Sequence, residues 1–189
     1  DERCTEKARQ EIQEIISAQS SVTSDDNQPV AYFIPRKNYF MGKWIRYAGF
    51  YPDYRHPQLF KKGVLSFEPD AVHADYTIDS DLPVGYIKSH ITQIPYKNLE
   101  EILNKANRYS TLGAEKMAQH PKNARMYRAV SHGFWSFCTT YFFKLGFLDG
   151  WPGLIIALGN FEGTFYKYAK LYLKQKGLES FFEQTPPKQ

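Results

Sequence analysis

Val30-Ala31-Tyr32-Phe33-Ile34-Pro35-Arg36-Lys37-Asn38-Tyr39-Phe40-Met41-Gly42-Lys43-Trp44-Ile45-Arg46-Tyr47 is the stretch that decides the fold class. Its apolar residues are β-branched or aromatic and come in short runs punctuated by Pro35 and Gly42, a pattern of strands rather than helix. The spacing predicts strands over 30–34 and 39–47, and the same signature continues at 58–60, 64–67, 71–78 and 85–94. Upstream the period changes. Ala8, Ile12, Ile15 and Ile16 recur at helical spacing, which predicts a helix over 1–19 followed by a polar loop over 20–29. Downstream of Pro95 the chain turns helical again. Asn98 with Glu101 three residues on resembles a capping box, and Leu99, Ile102, Leu103, Ala106 and Tyr109 follow one face. His120-Pro121-Lys122-Asn123 ends that helix. A second, aromatic helix runs to Lys144 and stops with Gly146 at C′, and Pro152 opens a third that reaches Lys176. Residues 184–189 are expected to fray. The fold class is α/β, with a mixed sheet in a first domain, 1–95, and a helical second region, 96–189.

With 42% hydrophobic and 16% aromatic residues in 189, the chain can build a core, which excludes a disordered segment. The net charge of +4 is too small to define a nucleic-acid binder, but its distribution is uneven. Between Arg36 and Lys62 stand Arg36, Lys37, Lys43, Arg46, Arg55, Lys61 and Lys62 against the single acid Asp53. An anionic partner suits that stretch, and so does an ordinary solvated basic face. Cys4 and Cys138 form neither a disulfide framework nor a metal-ligand spacing, which suits the cytosol. The charged first twenty residues are no signal peptide, and the apolar run 129–143 is shorter than the ~20 residues a bilayer crossing needs.

On a strand over 71–78, His73, Asp75 and Thr77 share one face. A histidine and a carboxylate two residues apart can project into one cleft as metal ligand and general base, or make a surface-satisfied pair. Asp53 is the other candidate base. The C-terminal helices also have two readings. Phe134, Trp135, Phe137, Tyr141, Phe142 and Phe143, with Trp151 and the lysines Lys167, Lys170 and Lys174, suit either a membrane interface or packing between helices.

Longer segments carry a resemblance. Ala31 to Arg46, Gly49-Phe50-Tyr51-Pro52-Asp53-Tyr54, Gln58-Leu59-Phe60-Lys61-Lys62-Gly63, Val72-His73, Gly146-Phe147-Leu148-Asp149-Gly150-Trp151 and Ala157-Leu158-Gly159-Asn160-Phe161-Glu162-Gly163-Thr164 resemble, in order, bacterial family 2 glycosyltransferases of the lipopolysaccharide core, of the heptose β-1,4-glucosyltransferase kind. Asp1-Glu2-Arg3 looks like the tail of that family's metal-binding run. The resemblance implies a partial GT-A-like (Rossmann-like) domain and inverting transfer of a hexose, glucose from UDP-glucose, to the inner core. It implies a divalent metal, Mg²⁺ or Mn²⁺, held by Asp1 and His73. It also implies His73, Asp75 or Asp53 at the reacting centre, and Trp44, Arg46 and Arg55 around an anionic acceptor. Gln58 and Ala74 stand where many relatives have arginine and glutamate, which is why Asp75 and Asp53 are both considered as base. Further implied are a cytoplasmic location, peripheral on the inner membrane, and donor strands preceding Asp1. Without those strands the 189 residues are expected neither to bind UDP-glucose nor to transfer sugar. Two rival classes use the same residues. A nucleic-acid module would stack bases on Tyr32, Phe33, Tyr39 and Trp44, although no recognised nucleic-acid signature is present and none is expected to bind. A non-catalytic membrane-surface adaptor would use the C-terminal helices alone.

Overall fold

Thr5 ends the first strand and starts the first helix. Its hydroxyl accepts from the Ala8 amide and donates to the His90 carbonyl, so one side chain caps the helix and ties it to the sheet. In the computed structural model, which describes residues 2–21, 28–54, 56–67, 76–78, 81, 83–119 and 124–178, the chain divides into two units, Asp1–Lys97 and Asn98–Gln189. The molecule is mixed α/β, with small mixed sheets in the first unit and helices in the second.

The first unit holds β1 (Glu2–Cys4), α1 (Glu6–Ser21), β2 (Ala31–Phe33), β3 (Arg36–Phe40), β4 (Lys43–Ile45), β5 (Leu59–Phe60), β6 (Leu65–Phe67), β7 (Tyr76–Ile78), β8 (Val84–Tyr86) and β9 (Ile91–Gln93). They form sheets ordered β1-β9-β3-β4, β5-β2-β8 and β6-β7. Residues 2–4, expected at a helix start, are instead a strand paired with β9. The expected single strand over 39–47 is a hairpin. Met41 and Gly42 both take positive φ (52° and 73°), the two-residue turn whose twist matches its flanking strands. The expected strand over 85–94 is likewise two, broken at 87–90, where the Glu11 carboxylate of α1 accepts from the Lys88 and Ser89 amides. Burial, the largest single influence, would raise the Glu11 pKa, but these two bonds together with a bond from the Ser89 side chain and the charge of Lys88 hold the carboxyl below its ordinary range. Ile34, Ile87 and Ile91 form a core against which Ile12, Ile15, Tyr32 and Leu59 pack, while Ile16 is exposed rather than on the buried face.

The second unit contains α2 (Leu99–Ala118), α3 (Met126–Cys138), a π turn (Thr139–Phe143), a 3₁₀ turn (Gly146–Asp149) and α4 (Trp151–Gln175). The Asn98 side chain accepts from the Glu101 amide at 2.8 Å, the cap expected from sequence. α4 is central, with α2 and α3 both packed on it. Small residues set the approach. The Phe161 and Phe165 side chains lie over Gly133, and Ile102 lies over Gly159. The α3 stop differs from the sequence reading. Leu145, not Gly146, is the left-handed residue (φ 56°), and the glycine that space requires is Gly153, against which the Gly146 carbonyl sits. A Cβ at Gly153 would overlap that carbonyl oxygen, and backbone cannot swing aside as a side-chain tip can. Gly153→Ala is therefore expected to destabilise the helical unit by about 1–3 kcal/mol, the range for overpacking, read as a lowered urea midpoint at unchanged m-value.

Candidate functional site

Register decides what the basic stretch of the sequence becomes. In the β3–β4 hairpin Tyr39 lies opposite Trp44, and Asn38 opposite Ile45. Alternation then puts Lys37, Tyr39 and Trp44 on one face and Arg36, Asn38, Phe40 and Ile45 on the other. The second face is the core. Arg36 is only 3% exposed, and its guanidinium donates to Glu2 Oε1 at 2.8 Å and to the Asp53 carbonyl at 3.2 Å. Asn38 donates to the Phe50 carbonyl at 2.9 Å. On the first face the Lys37 ammonium and the Arg46 guanidinium approach the Trp44 ring at 4.6 and 4.8 Å from its centre, and Tyr51 meets it edge-on at 5.3 Å.

Of the residues singled out from sequence, Trp44 and Arg46 are thus brought together. Asp53 is buried, with its carbonyl oxygen under Arg36. Asp1, Arg55, His73 and Asp75 lie outside the described residues. Gln58 has a backbone role here. Its side-chain oxygen accepts from the Ile34 amide at 2.9 Å just past the end of β2.

A ring cluster that sequence reasoning missed lies at the end of the three-stranded sheet. Phe33 stacks on Tyr86 at 5.4 Å and meets Tyr54 and Tyr76 edge-on at 6.0 and 6.5 Å, and Tyr54 meets Tyr86 at 5.3 Å. The parallel pairing of β2 with β8, which sets Phe33 opposite Tyr86, creates the stack. Tyr86 remains 62% exposed and Tyr54 half-exposed, so the cluster is an open platform rather than core. Burial, followed by the neighbouring Tyr51 and Tyr86, pushes the Tyr54 hydroxyl above its ordinary pKa, so it stays protonated as a donor. In the chain, Tyr54 stands between Asp53 and Arg55, and Tyr76 directly follows Asp75.

The residues implied as metal ligands, Asp1 and His73, lie outside the described residues. Glu2, the described carboxylate of the opening run, is paired with Arg36, and no three His, Cys, Asp or Glu residues group as ligands among the described residues.

The helical unit carries a different kind of surface. Tyr127, Val130, Phe134 and Trp135 of α3, Phe142 and Phe143 of the π turn, Leu145, Phe147, Leu148 and Trp151 are all exposed, Phe143 at 69% and Trp151 at 75%. Between Ala124 and Trp151 the bases are Arg125, Arg128 and Lys144, all exposed, and the one acid, Asp149, is buried. Of the three lysines expected on the polar side of this surface, Lys174 is exposed, while Lys167 and Lys170 turn to α2. Lys170 donates to Asn107 O, Asn107 Oδ1, Ser110 Oγ and Thr111 Oγ1 of α2 at 2.7–3.0 Å, and Lys167 lies along Gly113. At Lys167 and Lys170, therefore, α4 packs against α2. No helix among the described residues is long and apolar enough to cross a membrane.

No protein-family model matches the chain, and no solved structure matches it significantly.

Proposed function

We propose that this chain is the acceptor side of an inverting family 2 glycosyltransferase with a GT-A-like fold, which moves a hexose, glucose from UDP-glucose, onto a heptose of the lipopolysaccharide inner core. The ordered family-like segments support the reading, and the observation that carries it is the exposed ring platform Phe33–Tyr54–Tyr76–Tyr86. A pyranose offers a face of C–H groups that aromatic rings cover while its hydroxyls stay in water. Three of the polar residues that the reaction asks for, Asp53, Arg55 and Asp75, are chain neighbours of those rings.

In this reaction an acceptor hydroxyl attacks the anomeric carbon as the bond to the diphosphate oxygen breaks. A carboxylate or imidazole takes the hydroxyl proton, and inversion follows from attack opposite the leaving group. Asp75 and His73 are proposed for that proton, with Asp53 next. The divalent cation, Mg²⁺ or Mn²⁺, belongs to the same reading on Asp1 and His73, where it would neutralise the departing diphosphate. The exposed aromatic face with its basic rim supports a peripheral position on the cytoplasmic face of the inner membrane, beside a lipid-anchored acceptor. The same face also favours the second reading, a membrane-surface adaptor without catalysis.

Full-length protein incubated with radiolabelled UDP-glucose and heptose-terminated core acceptor separates the two. Label moving to acceptor, and falling at least about tenfold in Tyr86→Ala, is expected. Vesicle binding with no transfer from any nucleotide hexose would leave the adaptor.

A further inference from the structure

Two buried side chains on the core face of β3 hold one loop in place. Asn38 donates to the Phe50 carbonyl at 2.9 Å, and Arg36 donates to the Asp53 carbonyl at 3.2 Å. Phe50 and Asp53 are themselves buried, so the loop is pinned at both positions, while Tyr51 and Tyr54 stand exposed. The two tyrosines lean on different partners. Tyr51 meets Trp44 of the β3–β4 hairpin at 5.3 Å with the ring planes at 89°. Tyr54 meets Tyr86 of β8 at 5.3 Å and 77°. Each pair is therefore a corner, one ring standing as a wall against the other.

Both corners have an open ring. Phe33 backs Tyr86 by stacking on it, and Tyr86 remains exposed all the same. In the other corner the Lys37 ammonium and the Arg46 guanidinium already lie over Trp44, and Tyr51 is the more open ring. The corners are also neighbours. Three residues span at most ~11 Å between Tyr51 and Tyr54. Tyr51 comes second only to burial among the influences that raise the Tyr54 pKa, so the two hydroxyls lie close enough to sense each other. Perpendicular rings select a shape. A flat nucleobase is held by stacking on ring faces. A pyranose chair suits a corner instead, with its C–H groups on one ring and its equatorial hydroxyls turned to tyrosine hydroxyls, which both donate and accept.

We propose that the two corners are adjacent subsites of one oligosaccharide-binding surface, with one pyranose at Tyr54–Tyr86 and the next linked pyranose at Tyr51. This rests on the acceptor reading above and deepens it, since the acceptor is then recognised as at least a disaccharide. The pinned loop sets the spacing between the two units. Once the first unit is seated, the second reaches its corner intramolecularly, so that contact adds to the affinity of the whole. Tyr51 thereby determines specificity for chain length and takes no part in the transfer itself.

The test is an NMR titration of the 189-residue chain carrying ¹³C-labelled tyrosine, with the ring signals of Tyr51, Tyr54 and Tyr86 assigned by single substitutions. The probes are a methyl heptoside and the methyl glycoside of a heptose disaccharide. The disaccharide is expected to move all three signals at one midpoint, about tenfold below that of the monosaccharide, the size of one further ring contact. Tyr51→Ala should return the disaccharide to the monosaccharide's midpoint while Tyr54 and Tyr86 still respond. Tyr54→Phe, which keeps the rings and removes only a hydroxyl, should weaken both sugars about threefold or more. Equal midpoints for the two sugars, a Tyr51 signal that the disaccharide leaves in place, or an unchanged midpoint in Tyr51→Ala would overturn the paired subsites. Binding of neither sugar would overturn them too. Tighter binding of an oligothymidylate at the same rings would overturn them in favour of nucleic acid. Because no transfer is measured, failure here is distinct from failure of the transferase assay.

Discussion

Replacing Phe142, Phe143 and Trp151 together by serine is expected to lower partition onto anionic vesicles by about 100-fold. All three are exposed where the π turn, the 3₁₀ turn and the start of α4 meet, and none is needed to cover the α3–α4 seam around Gly133, which Phe161 and Phe165 fill. A half-inserted aromatic ring withdraws enough apolar area for ~1 kcal/mol, and three give ~3 kcal/mol, or two decades in the partition coefficient. Arg125, Arg128 and Lys144 add attraction to anionic lipid that salt screens, so high salt should remove only part of the binding. Lys170→Glu should act differently. Four acceptors on α2 surround its ammonium, and a carboxylate there would face the same oxygens in repulsion. Its expected effect is a lower melting temperature with vesicle binding intact wherever the unit stays folded. Vesicle sedimentation of both variants checks this. Loss of binding in Lys170→Glu while the unit is still folded, with retention in the triple serine variant, would put the lipid face on α4's lysine side instead.

That contrast shows where sequence reading stops. The α2 cap was legible because it is local, Asn98 bonding the amide three residues on. The existence of strands and of three C-terminal helices was legible from period alone. The Lys170 environment was not, because an amphipathic pattern distinguishes faces but does not say which face meets another helix. The same holds for the split of 39–47. A turn with Met41 at positive φ carries no strong sequence signal, since Asn or Asp is favoured there, yet that turn alone puts Lys37 across from the Trp44 side of the hairpin. The ring platform had a weaker excuse. Tyr54 is an ordinary loop aromatic and Tyr86 an ordinary strand aromatic in the sequence, and only the parallel β2–β8 pairing stacks Phe33 on Tyr86. Asp53 was visible as an acid in a basic stretch, but not as a buried one whose backbone holds Arg36. His73 and Asp75, the residues with the sharpest chemical expectation, lie outside the described residues.

For those two the decisive measurement is kinetic. In full-length protein Asp75→Asn or His73→Ala is expected to lower turnover by ~10²–10⁴-fold, the usual cost of losing a general base, with melting temperature unchanged. Asp53→Ala should do the reverse. Its position is buried and belongs to the loop whose carbonyl receives the Arg36 guanidinium, itself only 3% exposed, so disturbing that loop endangers a charge that has little water to fall back on. The expected signature is a lowered melting temperature, with turnover per folded molecule changed little. Reading kcat and stability side by side on the three variants separates a proton acceptor from a structural carboxylate, because a base lost from a rigid site alters the rate alone. Near-normal turnover in both Asp75→Asn and His73→Ala, together with a hundredfold loss in folded Asp53→Ala, would move the reacting centre to the buried loop beneath Arg36 and away from the segment that leads into Tyr76.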